Sequence, residues 1–408
     1  AAPILVGAVV SALLPLIRVT CPISVRLAFD NLSRAPGRTG VVIGALGAGV
    51  ALMFQTAGVG RSNEEPVTTW IAQVVQADHF VFSGNMTAAN SSNSPMAPGI
   101  ARELRALPEV DRVMTIRYAR PEFNGTVICL IAMDAVDYSQ ATRDRVPTGL
   151  PDLEKFLGLP GTNDVLVSEN FARRQNVKIG DTITLPGPTG RVPLRVVGTV
   201  VDYSWSRGTV FMDRTRYAEL FGDELIDMCH VFLKSSRNGT AAHDPGLEAF
   251  VADKGLFVTD RDGLRKFLSE LINRIYQLAY LQQIVVGVVA ALGVVTALLI
   301  SVLQRKRELG LLLAIGATPG QVLRSVMAEA VLLGVFGTAL GILIGMPMEW
   351  YVLKVVMVDE SGFVFDVVYP WKEALGIAGV SILTATLAGL LPAWRAIQTR
   401  IPDALQYE

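Results

Sequence analysis

Four stretches of about 20 apolar residues set the terms for any fold this chain adopts: Thr39–Gly60, Gln282–Leu303, Val322–Met348 and Lys372–Trp394. Each is long enough to cross a bilayer as a helix. A backbone surrounded by hydrocarbon must satisfy its own hydrogen bonds, so a helix is expected in each rather than an open strand or loop. A fifth stretch, Ala1–Ile17, is slightly short and reads as a spanning helix truncated at its start. The chain opens at Ala1 with no initiator Met and no basic leader, and so reads as a fragment or processed piece. Of its 408 residues 51% are hydrophobic and 18% charged, and the mean hydropathy is +0.41. That is too apolar for an ordinary soluble globule and too charged for a chain that lies in the membrane throughout. The expected fold class is an α-helical integral membrane protein. It has four core transmembrane helices, a partial preceding one and a large extracytoplasmic α+β domain.

Basic residues favour the cytoplasmic ends of spans. Arg18, Arg26, Arg34 and Arg38 precede Thr39; Arg305, Lys306, Arg307 and Arg324 follow the second stretch; Arg395 and Arg400 follow the last. One topology puts all of them inside, with the N-terminus of this chain outside and the C-terminus inside. The region between Gly60 and Tyr280 and the loop Glu349–Trp371 are then extracytoplasmic. Trp350, Tyr351, Tyr369 and Trp371 bracket that loop, as interfacial aromatics do. The expected division is 1–24, the end of a preceding span and a linker; 25–60, the entry and first core span; and 61–280, the outer domain. After it come 281–303, the second span; 304–321, a cytoplasmic helix; 322–348, the third span; 349–371, the outer loop; 372–394, the fourth span; and 395–408, the tail.

Short alternating strands and turn signals fill the outer region. Asp164–Ser168, Glu169–Asn176 and Lys178–Leu185 read as strand, helix and strand, and the whole as two small α+β lobes. From Asp262 to Tyr280 the pattern changes. Leu264, Phe267, Leu268, Leu271, Ile275 and Leu278 fall at helical spacing on one face and run straight into the Gln282 stretch. This predicts a stalk helix continuous with a span, against the plainer reading of a packed surface helix.

Chemistry-bearing motifs are missing. The sequence holds no G-x-x-x-x-G-K-[ST], H-E-x-x-H, C-x-x-C or G-x-S-x-G. His79, His230 and His243 are scattered, and a lone strand histidine such as His230 reads as structural. Asp134 and Asp137 in the turn-like DAVD read as solvated carboxylates, and the sequons at Asn85 and Asn124 matter only in a host that glycosylates. Cys129 and Cys229 sit in apolar contexts and are expected to be buried free thiols, with a disulfide the alternative; Cys21 is cytoplasmic. No enzyme activity and no cofactor or metal is expected. A net charge of −1 gives no reason to expect nucleic acid as a partner.

Within the spans only Glu329 stands out as ionisable. Small residues recur instead: Gly40, Gly44 and Ala48 in one span, Gly337, Gly341 and Gly345 in another. Such faces let helices approach closely, within the chain or with a second copy.

Between the second and third stretches lies RKRELGLLLAIGATPGQ, Arg305–Gln321. Leu309, Leu312, Leu313 and Gly316 make a narrow apolar stripe there, and Gly316–Gly320 breaks the helix. From the residues alone, a helix lying on lipid and a helix docking on a protein are equally open.

This segment resembles the basic-then-apolar loop of the FtsX-like permease family, which includes MacB-type and LolC/LolE-type ABC transporter subunits. Glu329-Ala330 and the ladder Gly334, Gly337, Gly341, Gly345 resemble the helix after it. LPAWRA (Leu391–Ala396) resembles the family's closing segment, Arg26–Gly40 its entry to the first helix, and Asp164–Tyr203 its outer domain. The likeness runs from about Val25 to Gln406; residues 1–24 resemble the end of a preceding span, as in the C-terminal half of a ten-helix permease. The resemblance implies a coupling helix that docks on a separate ABC-type ATPase through Arg307, Glu308, Leu309, Leu312, Leu313 and Gly316. Thr318-Pro319-Gly320 departs from the family, many of whose members have basic residues there. The implied function is the permease subunit of a mechanotransmission ABC transporter in the bacterial cytoplasmic membrane. It would act on a lipid, lipoprotein, peptide or hydrophobic drug, with ATP bound by the partner. A second permease unit, either another copy or a missing N-terminal half, and a periplasmic adaptor are further implied partners. The alternative is a non-transporting FtsX-like scaffold that activates an extracytoplasmic hydrolase.

Overall fold

The structure, a computed structural model, describes residues 26, 28–30, 36–84, 94–143, 153–234, 245–304, 311 and 316–397. Four long helices organise it: α1 (Pro36–Val74), α2 (Arg261–Gln304), α3 (Pro319–Tyr351) and α4 (Trp371–Ile397). The described residues gather into two units. One takes those up to Asn63, from Arg274 to Leu353 and from Asp366 on; the other takes Glu64–Asn273 and Lys354–Phe365.

Among the described residues, three stretches are long and apolar enough to cross a membrane: Thr39–Val74, Pro319–Ser361 and Trp371–Leu390. A shorter apolar stretch, Ile284–Gly293, lies within α2. The core of the first unit is small, with Ile43, Leu46, Ala330, Leu333 and Ala385 buried together and Phe29 edge-on to Phe336 at 5.6 Å. Large apolar side chains such as Ile284, Val288, Leu375 and Leu383 are exposed instead. Hydrocarbon tails solvate such a surface as well as a protein core would.

The start of α3 differs from the sequence reading. Gly316 takes a positive φ of +102°, and Thr318 opens the helix with a capping box: its hydroxyl accepts from Gln321 N, and Gln321 reaches back to Thr318 N. Pro319 takes the first helical position, where its missing N–H costs nothing. The expected break at Gly316–Gly320 is therefore a turn at Gly316 followed by the cap and first residues of α3, which begins three residues before the expected Val322.

The second unit is built on eleven strands: β1 (His79–Phe82), β2 (Val110–Ala119), β3 (Glu122–Phe123), β4 (Thr126–Val127), β5 (Cys129–Met133), β6 (Asp164–Ser168), β7 (Thr182–Gly187), β8 (Gly190–Val200), β9 (Thr209–Asp213), β10 (Met228–Leu233) and β11 (Phe257–Asp260). Nine of them form one sheet in the order β11-β1-β10-β2-β5-β9-β6-β8-β7. The expected two lobes are thus not separate sheets. β5 and β9 pair in parallel, Cys129 opposite Thr209, and join the two halves.

Strands β1, β5, β9 and β10 are buried along their whole length, as strands covered on both faces must be. β8 alternates, with Val192, Leu194 and Val196 inward and Pro193 and Arg195 outward. Short helices between strands are capped by their own sequence. Ser168 accepts from Phe171 N, and Asp213 accepts from Thr215 N and Arg216 N before the helix Arg214–Phe221, which Gly222 ends at φ 63°. Cys129 and Cys229 are both buried and free.

Candidate functional site

With no catalytic cluster to follow among the described residues, the candidate site is the set of contacts within each unit: those between the long helices in the first, and those that fix helix ends and the segment after α3 to the sheet in the second. In the first unit, α1 and α3 approach closely enough to exclude side chains. A Cβ on Gly337 would stand 2.5 Å from Leu46 Cδ2, one on Gly341 2.5 Å from Val50 Cβ, and one on Gly345 3.0 Å from Phe54 Cδ1. The seam continues on the other side of α3, where a Cβ on Gly334 would meet Ala385 of α4 at 3.1 Å. On α1 the contact face is Leu46, Gly47, Val50, Ala51 and Phe54, not the Gly40, Gly44, Ala48 series. Gly40 is buried, but Gly44 is only half-buried and Ala48 is exposed. Helical twist explains the difference, since Gly47 is three residues from Gly44 and brings a neighbouring face to α3.

Toward the far end of this seam, Arg61 of α1 pairs with Glu373 of α4 at 2.7 Å. Ser62 Oγ accepts from Val368 N at 3.0 Å, and Phe54 packs against Tyr369 and Trp371. Glu329, singled out from sequence, is buried. Glu349 was assigned from sequence to the outer loop; it lies instead inside α3 and is fully buried.

In the second unit, the end of α1 is clasped to the start of α2. Arg265 Nη2 donates to the Ala72 and Val75 carbonyls at 3.1 and 2.9 Å, closing the last turn of α1, whose carbonyls have no partner in the helix. Arg261 donates to Asp78 Oδ1 at 2.6 Å and to Ala77 O at 3.2 Å. Asp78 is buried and accepts from Leu233 N of β10 as well, so the clasp is anchored in the sheet. Of the residues expected on a stalk, Leu264 and Leu268 pack on the domain core beside Ile71 and Val75. Phe267 is half-buried and Leu271 exposed. The backbones of Ile275 and Leu278 lie in α2, and their side chains are outside the described set. The first turns of the expected stalk pack on the domain, and α2 continues from them without a break to Gln304.

A second clasp holds the segment after α3. A π-helical turn, Val352–Val356, and the helix Met357–Ser361 end at Gly362 with φ +71°. Asn170 Nδ2 donates to Ser361 O at 3.1 Å, Arg173 Nη1 to Gly362 O at 2.9 Å and Arg174 Nη1 to Asp359 O at 2.6 Å. Any Cβ on Gly362 would stand 2.8 Å from Asn170 Cβ. Tyr203 stacks on Phe365, stands edge-on to Phe363, and meets Trp70 of α1 at 5.8 Å. Three chain segments thus share one aromatic cluster.

Several other charged groups of the domain are engaged with its own residues. Asp134 and Asp137 do not form a solvated pair. Asp134 accepts from Thr115 N and Oγ1, burial raises its pKa, and Asp137 lies 3.8 Å from Arg112. Burial works against the charge of Arg117, but hydrogen bonds to Asp223 and Asp227 outweigh it. His230 stands edge-on to Phe80 at 4.7 Å, and burial pushes its pKa down to about 3. Burial likewise pushes both thiols up to about 12. No group of three or more His, Cys, Asp or Glu suited to a metal ion occurs among the described residues. Of the coupling residues expected from resemblance, Arg307, Glu308, Leu309, Leu312 and Leu313 lie outside the described residues, while Gly316 is an exposed turn.

Comparison with known proteins adds the family. Residues 39–244 match the MacB-like periplasmic core domain and residues 283–401 the FtsX-like permease C-terminal. An ABC transporter permease protein of Mycobacterium tuberculosis is 27% identical over 94% of this chain and 45% of its own length. The macrolide export ATP-binding/permease protein MacB of Chromobacterium violaceum is 23% identical over 97% of this chain and 62% of its own. The chain thus spans about half the length of the first relative and under two thirds of the second. The crystal structure of the periplasmic region of MacB from Actinobacillus actinomycetemcomitans aligns at 14% identity over 48% of this chain and 92% of that one, with a TM-score of 0.33. This chain belongs to the family of the MacB-like periplasmic core domain, and its C-terminal part matches the FtsX-like permease C-terminal.

Proposed function

We propose that this chain is a permease subunit of the mechanotransmission kind, in which a partner ATPase moves an extracytoplasmic domain. The observation that carries this is the path of α1 and α2. Each is a single helix that leaves an apolar stretch and ends, or begins, in the Arg261–Arg265–Asp78 clasp of the sheet domain. A helix of 44 residues with its first turns fixed in a domain transmits a push along its axis. A loop in its place would absorb the push.

The ATPase would dock on the segment between α2 and α3, through Arg307, Glu308, Leu309, Leu312, Leu313 and Gly316. Basic residues near the ends of the spans support a cytoplasmic position for that segment and an outer one for the sheet domain. Cargo would be handled by the domain rather than by a polar route through the helices, since the seam between α1, α3 and α4 is closed by glycine packing. A lipid, lipoprotein, peptide or hydrophobic drug fits this reading, and a relative named for macrolide export fits the last of these.

The test is co-purification of the full-length parent protein from its own host, with mass spectrometry of what accompanies it. Recovery of an ABC-type ATPase that is lost with Leu312→Asp or Leu313→Asp is the expected outcome, because a charge placed in a buried apolar contact removes it. Recovery unchanged by both substitutions would place the docking site elsewhere. Absence of any ATPase would favour a scaffold that activates an extracytoplasmic partner.

A further inference from the structure

Glu349 lies on the glycine ladder of α3. Gly337, Gly341, Gly345 and Glu349 recur every four residues, so the carboxylate follows the glycines on the face turned to α1. Its opposite number there is Gly58, where any Cβ would overlap the carboxyl group. Glu349 is 0% exposed. Both of its oxygens are enclosed and neither has a hydrogen-bond partner. An ionised carboxylate in that position has neither water nor a donor, a cost of several kcal/mol in any protein interior.

A cation on the facing helix is already engaged. Arg61 follows Gly58 by three residues, on the same side of α1, and its guanidinium holds Glu373 of α4 at 2.7 Å with both side chains 41% exposed. The other titratable groups that neighbouring elements bring to this end are Asp366 and Tyr369 before α4 and Lys372 at its start. Tyr351 and Lys354 follow on Glu349's own chain segment.

We propose that Glu349 is a proton-binding site that couples closure of the α1–α3 seam to pH. With the helices closed at Gly58, the carboxyl is neutral and carries the proton itself. When the seam opens, the proton leaves to solvent, and the carboxylate takes Arg61 from Glu373. Glycine at position 58 makes the closed form sterically feasible, and the half-exposed Arg61–Glu373 pair is weak enough to exchange, since such pairs are worth about 1 kcal/mol or less. Acidic conditions favour the closed seam and alkaline conditions the open one. The ligand of this site is the proton alone, and the inference does not depend on an ATPase or a cargo.

The experiment is infrared difference spectroscopy of the whole chain in lipid nanodiscs, stepped from pH 5 to pH 9. A protonated-carboxyl band is expected in wild type at neutral pH and is lost in Glu349→Gln. In Arg61→Gln the band should persist to higher pH, by about one unit or more, because the charged form has lost a cationic partner. A purely structural glutamate would not move with Arg61. If Glu349→Gln does not fold, Glu349→Asp serves, since it shifts the band without removing the acid. A wild-type spectrum with no band assignable to Glu349, or a midpoint indifferent to Arg61→Gln, overturns the proposal.

Discussion

Gly341→Ala adds one methyl group at a tight point of the α1–α3 seam. Its carbon would stand 2.5 Å from Val50 Cβ, 2.6 Å from Val50 Cγ1 and 2.8 Å from the Gly47 carbonyl oxygen. No flexible side-chain tip can yield here, since two of these atoms lie on a β-branched residue and the third is backbone. The helices must therefore part, at a cost of about 1–3 kcal/mol for overpacking. Alanine returns up to about 1 kcal/mol through helix propensity, leaving a net loss of up to about 2 kcal/mol when that return is full. The upper figure corresponds to roughly a 30-fold shift in the folded-to-unfolded ratio. The internal control is Gly376→Ala, and with it Gly379→Ala, on α4, where nothing lies within 4 Å of the added carbon. These should be neutral or slightly stabilising. Reversible detergent unfolding of the whole chain, followed by helix circular dichroism, measures all three. If Gly341→Ala proves no less stable than Gly376→Ala, the seam is not packed as described and the glycine spacing is only compositional.

Three further outcomes follow from the domain contacts. Gly362→Ala puts a side chain at φ +71°, with Asn170 Cβ 2.8 Å away; it should release residues 354–365 and speed their hydrogen exchange at least tenfold, leaving β10 unchanged. Arg265→Lys keeps the charge but loses the fork that reaches both Ala72 and Val75, so exchange protection in the last turn of α1 should fall with Lys as well as with Ala. His230, held near pKa 3 by burial, is neutral in the fold; its contribution to stability is full above the ordinary value of about 6.5 and falls as pH drops toward 3. Between pH 6.5 and 5 the loss is about 2 kcal/mol, read as faster opening of β10 by hydrogen exchange after correction for intrinsic rates, and His230→Met should remove that slope.

Apolar length and basic flanks made the helices legible from sequence, and the strand–helix–strand order near Asp164 was legible too. Other features were hidden because their meaning depends on what stands opposite. Asn124-Gly125 looks like part of a sequon, but with φ of 49° and 75° it is the two-residue turn joining β3 to β4, a reading its dipeptide alone permits. Ala48 and Gly47 are equally small, and only the twist of α1 against α3 decides which one lies in the seam. Glu349 is the sharpest case. Counted along the chain, it falls where the apolar run gives way to Trp350 and Tyr351, so it looks like the first residue of a loop. Counted in steps of four from Gly337, it is the next residue of the ladder, and the glycine needed to admit it sits at position 58, 291 residues away. A carboxylate and a glycine placed so far apart carry no signal in either one's neighbourhood. The helical period, continued past the point where hydropathy stops, is the one local clue that Glu349 belongs to the seam.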